Sequence, residues 1–140
     1  MSASVFRFPV TVRYLEVDQQ GVVFNMWYLA WFDEAMTAFL DSQGRPGYAA
    51  MMQAGYDVML VRSEIDWSTG VGFGDEIGIA VTTERIGTTS FTLRFEVQRG
   101  DDVTAVGHTT YVVIGTDGSG KRPIPEDLRA ALESAMSAVS

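Results

Sequence analysis

The sequence contains no cysteine and a single histidine, His108, among its 140 residues. The lack of cysteine excludes disulfides, thiolate catalysis and cysteine ligands for a metal. One histidine cannot supply the ligand cluster that a transition-metal site requires, so we expect no bound metal. His108 falls in a segment with strand-like alternation, where a lone histidine is most often a hydrogen-bonded structural residue. A Ser-His-Asp hydrolase is also disfavoured, because the sequence has no Gly-x-Ser-x-Gly elbow.

Basic residues are scarce as well: 10 Lys and Arg against 18 Asp and Glu give a net charge of −8. This balance disfavours a nucleic-acid partner, because binding to a phosphate backbone depends on Lys and Arg contacts. It does not exclude an anionic small molecule, since a local pair of arginines can hold a phosphate. The longest apolar run, residues 26–32, is too short to span a bilayer, and the N-terminal segment lacks the apolar core of a signal peptide. We therefore expect a cytoplasmic protein without a membrane or nucleic-acid partner.

The chain shows no linker, internal repeat or low-complexity segment, so residues 1–140 are expected to form one domain. After an N-terminal segment that alternates like a strand to about residue 17, Met26–Ser42 has helical length and is apolar nearly all round. Four strand-like segments follow: Tyr56–Trp67, Glu76–Ile86, 89–99 and 103–114. Short turns separate them, which is typical of antiparallel neighbours. A helix with Pro125 near its first turn closes the chain.

This order of elements predicts an α+β fold. A curved antiparallel sheet of five strands would wrap around one long central helix, with a short helix at the C-terminus. A helix that is apolar on nearly every side must be covered by other structure. One sheet cannot cover both the helix and its own outer face equally well. We therefore expect the subunits to pair into a homodimer or homotetramer.

The stretch "DQQGVVFNMWY" ahead of and into the central helix resembles the signature of one enzyme family, the hotdog-fold acyl-CoA thioesterases of the 4-hydroxybenzoyl-CoA thioesterase-like type. The matching residues are Asp18, Gly21, Val22, Val23, Phe24 and Tyr28. The turn at Gly87 to Phe91 and the ending "KRPIPEDLRAAL" are also similar to the family, so the resemblance covers nearly the whole chain. Two positions depart from it: Asn25 stands where many relatives have histidine, and Trp27 where many have asparagine. The resemblance implies the hotdog fold.

For function, the resemblance implies hydrolysis of an acyl-CoA thioester to a free acid and CoA. Asp18 would act as nucleophile or as general base. The backbone N–H of Asn25, at the N-terminus of the helix, would polarise the thioester carbonyl, whereas its side chain cannot titrate usefully. CoA is part of the substrate, and no other cofactor is expected. Three alternatives remain: Asp18 is only a turn residue, the protein binds acyl- or aryl-CoA without turnover, or it is a dehydratase of the same fold.

The resemblance also indicates which residues contact the substrate. Candidates for the acyl end are Gly21, Val23, Phe24, Trp27, Tyr28 and Asp33. Several relatives carry an acid at the position of Asp33, where it can contact a hydroxyl of a hydroxybenzoyl-type acyl group; the alternative is a structural or interface acid. Candidates for binding CoA are Arg62, Arg85, Thr88, Thr89, Lys121 and Arg122, although each alone is more simply a solvated surface residue. The aromatic residues Trp31, Phe32 and Phe39 are expected in the core. As in the family, a second subunit is expected to complete the active site.

Overall fold

The structure, a computed structural model, describes residues 5–43 and 47–136. Its strands are β1 Phe6–Thr11, β2 Tyr56–Trp67, β3 Glu76–Ile86, β4 Ser90–Arg99, β5 Asp102–Gly115 and β6 Gly120–Lys121. Its helices are α1 Met26–Ser42, α2 Tyr48–Gln53 and α3 Glu126–Ser134. A short 3₁₀ turn, Tyr14–Glu16, lies between β1 and the loop that leads into α1. The last residues of the predicted C-terminal helix, 137–139, lie outside the described residues.

All strands belong to one antiparallel sheet, whose main path runs β1-β3-β4-β5-β2. This confirms the predicted sheet of five strands around one long helix. A sixth strand that was not predicted, β6, pairs two residues with the end of β5. The first strand is shorter than its alternation predicts: its pairing with β3 ends at Thr11. The chain then turns away, because the N–H of Glu16 bonds the carbonyl of Arg13 at 3.0 Å and closes the 3₁₀ turn.

Helix α1 packs against the inner face of the sheet. Its buried side chains are Tyr28, Trp31, Phe32, Ala35, Met36, Phe39 and Leu40, which confirms the expected core positions of Trp31, Phe32 and Phe39. The ring of Phe32 stacks on that of Phe95 in β4, with centroids 4.6 Å apart. Gly107 of β5 lies directly against the Phe32 ring, where a Cβ atom would collide with it. Since each such buried aromatic side chain contributes about 1.5–3 kcal/mol, these contacts fix the helix, and therefore its N-terminus, relative to the sheet.

Strand β2 forms one edge of the sheet. In the part of the chain that the structure describes it pairs only with β5, so no strand covers its other side along its 12 residues. Three consecutive apolar residues on it are exposed: Met59 by 50%, Leu60 by 40% and Val61 by 52%. A long apolar edge of this kind is normally covered by another chain or element. Within residues 5–43 and 47–136, no helix combines the length and apolar character needed to cross a bilayer.

Candidate active site

Asp18 lies in a tight loop between the 3₁₀ turn and α1. Its own N–H donates to the carbonyl of Val22, its carbonyl accepts the N–H of Gly21, each at 3.0 Å, and its Oδ1 accepts the N–H of Gln20 at 2.8 Å. Gly21 has φ +80°, a conformation that favours glycine over residues with a Cβ. Among the described residues, Oδ2 of Asp18 accepts no hydrogen bond. One carboxylate oxygen therefore shapes the loop, and the other is available.

The loop is also anchored at its far side. Val23 is buried, forms a bridge with Val17, and its N–H donates to the carbonyl of Val71 at 2.8 Å. Val22 packs closely against Gly70. Through these contacts the loop rests on the segment that follows β2, so Asp18 lies near the Trp67 end of that strand. The side chain of Val23, predicted to contact substrate, belongs to the core of this chain.

The N-terminus of α1 presents unused backbone donors. Asn25 precedes the first helical residue with φ −54° and ψ −36°, and its side chain makes no capping bond. The N–H groups of Trp27 and Tyr28 bond back to Phe24 and Asn25 at 3.0 and 3.2 Å. In contrast, the N–H groups of Asn25 and Met26 donate to no acceptor among the described residues. Two free amides at the positive end of a 17-residue helix suit a carbonyl oxygen that gains negative charge.

Glu16, which was not predicted as a site residue, is a buried carboxylate next to this loop, only 2% exposed. Its Oε1 accepts the N–H of Arg13 at 2.8 Å, and its Oε2 accepts the guanidinium of Arg13 and the indole N–H of Trp31, both at 3.0 Å. Burial alone would raise the pKa of this carboxyl, but the hydrogen bonds from Arg13 and Trp31 outweigh burial and hold the pKa below its usual range. The only sequence signal was the spacing of three between Arg13 and Glu16.

The aromatic candidates near the helix N-terminus divide into two groups. Phe24 is 49% exposed, and Trp27 is half-buried, with the guanidinium carbon of Arg13 5.9 Å from its ring centroid. Tyr28 is buried in the core, and its ring meets that of Trp67 edge-on at 5.7 Å. The hydroxyl of Tyr28 has no hydrogen-bond partner in the described part of the chain. Of these three candidates, Phe24 and Trp27 are therefore the accessible ones.

Asp33 lies two turns along α1 from Met26. One of its carboxylate oxygens accepts the hydroxyl of Tyr111, from β5, at 3.1 Å. Burial raises the pKa of Asp33, and the hydrogen bond from Tyr111 opposes that rise. Burial and the neighbouring Asp33 charge also raise the pKa of Tyr111. The second oxygen of Asp33 accepts no hydrogen bond among the described residues.

The predicted CoA-binding residues are not brought to Asp18 in one chain. On the outer face of the sheet, Arg62 of β2 lies opposite Thr110 of β5, and Arg85 of β3 lies opposite Thr92 of β4. The hydroxyls of the two threonines, between the arginines, are hydrogen-bonded at 2.9 Å. Each arginine already has a partner: Arg62 pairs with Glu64, two residues further along β2. Arg85 donates to Ser90.

The other four candidates gather at the far end of the sheet. The carbonyls of Thr88 and Thr89 accept backbone N–H groups from residues 124 and 113, and the N–H of Arg122 also bonds residue 113. Lys121 pairs with Ile114 in β6. The Asp18 loop contacts residues 70–71, just after the Trp67 end of β2. Trp67 pairs with Ala105 and Lys121 pairs with Ile114, so these two ends of β5 are nine residues or about 30 Å apart. Within one chain these residues cannot meet the group that Asp18 would attack.

A metal is not indicated by the side-chain arrangement: nowhere in residues 5–43 and 47–136 do three histidine, aspartate or glutamate side chains group in a way that could hold an ion. His108, on the outer face of the sheet, shares a hydrogen bond of 2.6 Å with Glu84. That contact agrees with the structural role expected for it.

A curved antiparallel sheet wrapped around one long helix is the hotdog fold. The model of the Thioesterase-like superfamily matches residues 12–132. The chain therefore belongs to this superfamily of hotdog-fold acyl-CoA thioesterases, and it is a thioester hydrolase. The family, the fold and the class of enzyme that the sequence predicted are thus confirmed.

Individual relatives agree with this assignment. A 1,4-dihydroxy-2-naphthoyl-CoA hydrolase of Nostoc punctiforme is 24% identical over 128 residues, which cover 91% of this chain and 86% of the relative. A thioesterase superfamily structure from Jannaschia sp. CCS1 has a TM-score of 0.88 at 24% identity and covers 98% of this chain and 96% of its own. The structure of a gentisyl-coenzyme A thioesterase has a TM-score of 0.83 at 24% identity, with 91% and 99% covered. These two structures are similar in fold.

Proposed function

We propose that the protein is a cytoplasmic enzyme that hydrolyses an aromatic acyl-CoA thioester to the free acid and CoA. Asp18 carries the chemistry, and the N–H of Asn25 polarises the carbonyl. The observation that carries this proposal is that one short loop has a group without a hydrogen bond at each of its ends. These are the free Oδ2 of Asp18 and the free backbone amides at the start of α1.

Two routes are open to this arrangement, and both use the same groups. In the first, the Asp18 carboxylate attacks the thioester carbon, the C–S bond breaks, CoA leaves, and water then hydrolyses the mixed anhydride. In the second, Asp18 takes a proton from a water molecule that attacks the same carbon. In either route the negative charge on the carbonyl oxygen is held by the helix N-terminus. Neither route requires a cofactor beyond the CoA of the substrate.

An aromatic acyl group is supported by the side chains along α1. Phe24 and Trp27 offer accessible aromatic surface next to the loop. Asp33, seven residues after Met26 and so about 10 Å along the helix, has one oxygen without a partner among the described residues and could accept a hydroxyl of the ring. Relatives named for dihydroxynaphthoyl-CoA and gentisyl-CoA make such an acyl group a reasonable substrate.

The working enzyme is proposed to be a homodimer, or a homotetramer built from such dimers, joined along β2. An exposed edge of 12 residues with an apolar centre at Met59–Val61 is a surface that a second copy can pair with. A two-fold axis across this edge would make the two β2 strands antiparallel, since the same patch serves both subunits. The Trp67 end of one strand, near Asp18, would then lie beside the Tyr56 end of the other.

This pairing would also complete the binding site. The Tyr56 end of β2 pairs with Gly115, next to β6 and the 121–122 segment. Antiparallel pairing would therefore carry Lys121 and Arg122 of a second copy toward the Asp18 loop of the first. That arrangement overcomes the separation of about 30 Å within one chain and supplies cations for the CoA phosphates.

We predict that the wild-type protein has twice the chain mass of 15.4 kDa, or four times, in light scattering at micromolar concentration. Val61→Glu places one carboxylate from each subunit at the centre of the proposed interface, where the two would repel each other and lose their hydration. The mass of this variant should therefore fall to that of a monomer, and its turnover should fall as well. Val103→Glu, also a valine-to-glutamate change at an exposed position but at the start of β5, is the matched control. A Val61→Glu protein with the wild-type mass would contradict the proposed interface.

The experiment that tests the function is thiol release from a panel of aromatic and aliphatic acyl-CoA esters. We expect kcat/KM for hydroxylated aromatic esters to exceed that for aliphatic esters by roughly tenfold or more. Preference for an aliphatic ester would reject the aromatic acyl group while keeping the hydrolase. Binding of the esters without any thiol release would reject hydrolysis and favour a protein that binds acyl- or aryl-CoA without turnover.

A further inference from the structure

We infer that Glu16 is a positioning residue for the reaction, because it fixes the Asp18 loop relative to the backbone donors at the start of α1. This inference rests on the proposed function of Asp18 and Asn25. Glu16 touches neither of them directly. It acts through the contacts that it makes on both sides of the loop.

The backbone of Glu16 closes the loop. Its carbonyl accepts the N–H of Phe24 at 2.9 Å, and Phe24 is the residue before Asn25. Glu16 also stands two residues before Asp18. This one hydrogen bond therefore links the segment just before Asp18, which carries the carboxylate, to the segment just before Asn25, which carries the free amides.

The side chain makes a second connection to the helix. Its Oε2 accepts the indole N–H of Trp31 at 3.0 Å, and Trp31 lies buried in the second turn of α1. Its other bonds come from the backbone and guanidinium of Arg13, at the start of the 3₁₀ turn. The carboxylate thus ties the segment before the loop to the body of the helix after it.

The chemistry of these contacts requires a carboxylate. All three donors are N–H groups, and an ionised carboxylate is an acceptor at both oxygens. The carboxamide of a glutamine has only one acceptor, so its NH₂ would face a donor at one of the two oxygen positions. A buried charge is costly unless it is well paired, so a residue used only for packing would not need to be ionised here.

Loss of the hydrogen bonds of the Glu16 side chain is expected to affect the geometry of reaction more than the binding of substrate. A displacement of about 1 Å between reacting groups can lower turnover roughly 100-fold even when the change is remote from the chemistry. The acyl and CoA contacts proposed above lie on other residues and would remain. The expected signature is therefore a fall in kcat with little change in KM.

The test uses three variants of the full chain. Glu16→Gln keeps the size of the side chain, Trp31→Phe keeps a smaller aromatic ring but removes the N–H donor, and Leu132→Ala is the control. Leu132 is fully buried in α3, away from the loop. Its truncation therefore lowers the stability of the protein without changing the hydrogen bonds of Glu16. For each variant we would measure kcat and KM with the best ester of the panel, thermal stability, and amide hydrogen exchange of residues 18–28.

We expect Glu16→Gln to lower kcat about 10- to 100-fold, with KM within about threefold of the wild-type value and faster exchange at the amides of Gly21, Val23 and Phe24. Trp31→Phe should move the same quantities in the same direction. Combined with Asp18→Asn, Glu16→Gln should lower kcat no further, because it acts through Asp18. Leu132→Ala should lower thermal stability and leave kcat and the local exchange unchanged.

Wild-type kcat and wild-type local exchange in Glu16→Gln would overturn the inference. So would an equal fall of kcat in Leu132→Ala, since that would attribute the effect to general stability. Failure of the proposed function is recognised separately, as a wild-type protein that releases no thiol from any ester. In that case amide exchange alone decides whether Glu16 holds the loop: unchanged exchange in Glu16→Gln rejects it.

Discussion

Replacing Asp18 by asparagine is expected to lower kcat for thioester hydrolysis by about 100- to 10,000-fold, the range that a positioned carboxylate acting as base contributes. The local structure should survive, because an asparagine Oδ1 can still accept the N–H of Gln20, now 2.8 Å from Asp18 Oδ1. What is lost is the negative charge on Oδ2, the oxygen that makes no hydrogen bond in the described part of the chain. Thiol release at saturating ester measures the effect.

Asp117→Asn is a closely matched control. Asp117 also accepts, through Oδ1, the N–H of the residue two positions later, Ser119, at 2.9 Å, but it lies in the turn before β6 at the far end of the sheet. This substitution should leave kcat at saturating ester unchanged. Because Asp117 lies 3.5 Å from Arg122, a proposed CoA contact, any effect is expected in KM alone. If Asp18→Asn retained the wild-type kcat while the wild type hydrolysed esters, the catalytic group would have to be another residue, and Asp18 would be only a turn residue.

Elements that depend on local pattern could be predicted from the sequence. The limits of α1, Met26–Ser42, agree with the prediction because an apolar run of helical length follows a polar loop that contains glycine. Strands β2 and β3 agree because glycine-containing turns bound them. The predicted end of β1 was wrong: the strand was extended to about residue 17, but residues 14–16 form a 3₁₀ turn, closed by a hydrogen bond from the N–H of Glu16 to the carbonyl of Arg13.

The part of the site that depends on contacts distant in sequence could not be predicted. Asp18 was recognised from its place ahead of the helix, but the role of Glu16 depends on Trp31, fifteen residues later. The CoA candidates are a second case. Their charge was readable, but their separation from Asp18 follows from the register of β5 with β2 and β6. A sequence pattern gives the face of a strand and not its position along a sheet.

Replacing Asn25 by proline is expected to lower kcat by about 100- to 1,000-fold, the usual effect of removing one donor to a developing oxyanion. Proline removes the backbone N–H itself, which no ordinary side-chain substitution does. The position suits the change: φ of Asn25 is already −54°, within the range that proline imposes, and proline is well tolerated at the start of a helix. Because this N–H bonds no acceptor among the described residues, its removal breaks no hydrogen bond of the described chain.

Asn25→Ala separates the backbone from the side chain, since it keeps the N–H and removes only the carboxamide. Its kcat should stay within about tenfold of the wild-type value, because the side chain makes no capping bond and cannot titrate. The expected pattern is therefore a large loss in Asn25→Pro, a small one in Asn25→Ala, and similar thermal stability in both. Equal losses in the two variants would assign the effect to the carboxamide and contradict an oxyanion site at this amide. Wild-type turnover in Asn25→Pro would transfer that role to another donor, of which the N–H of Met26 is the nearest along the chain.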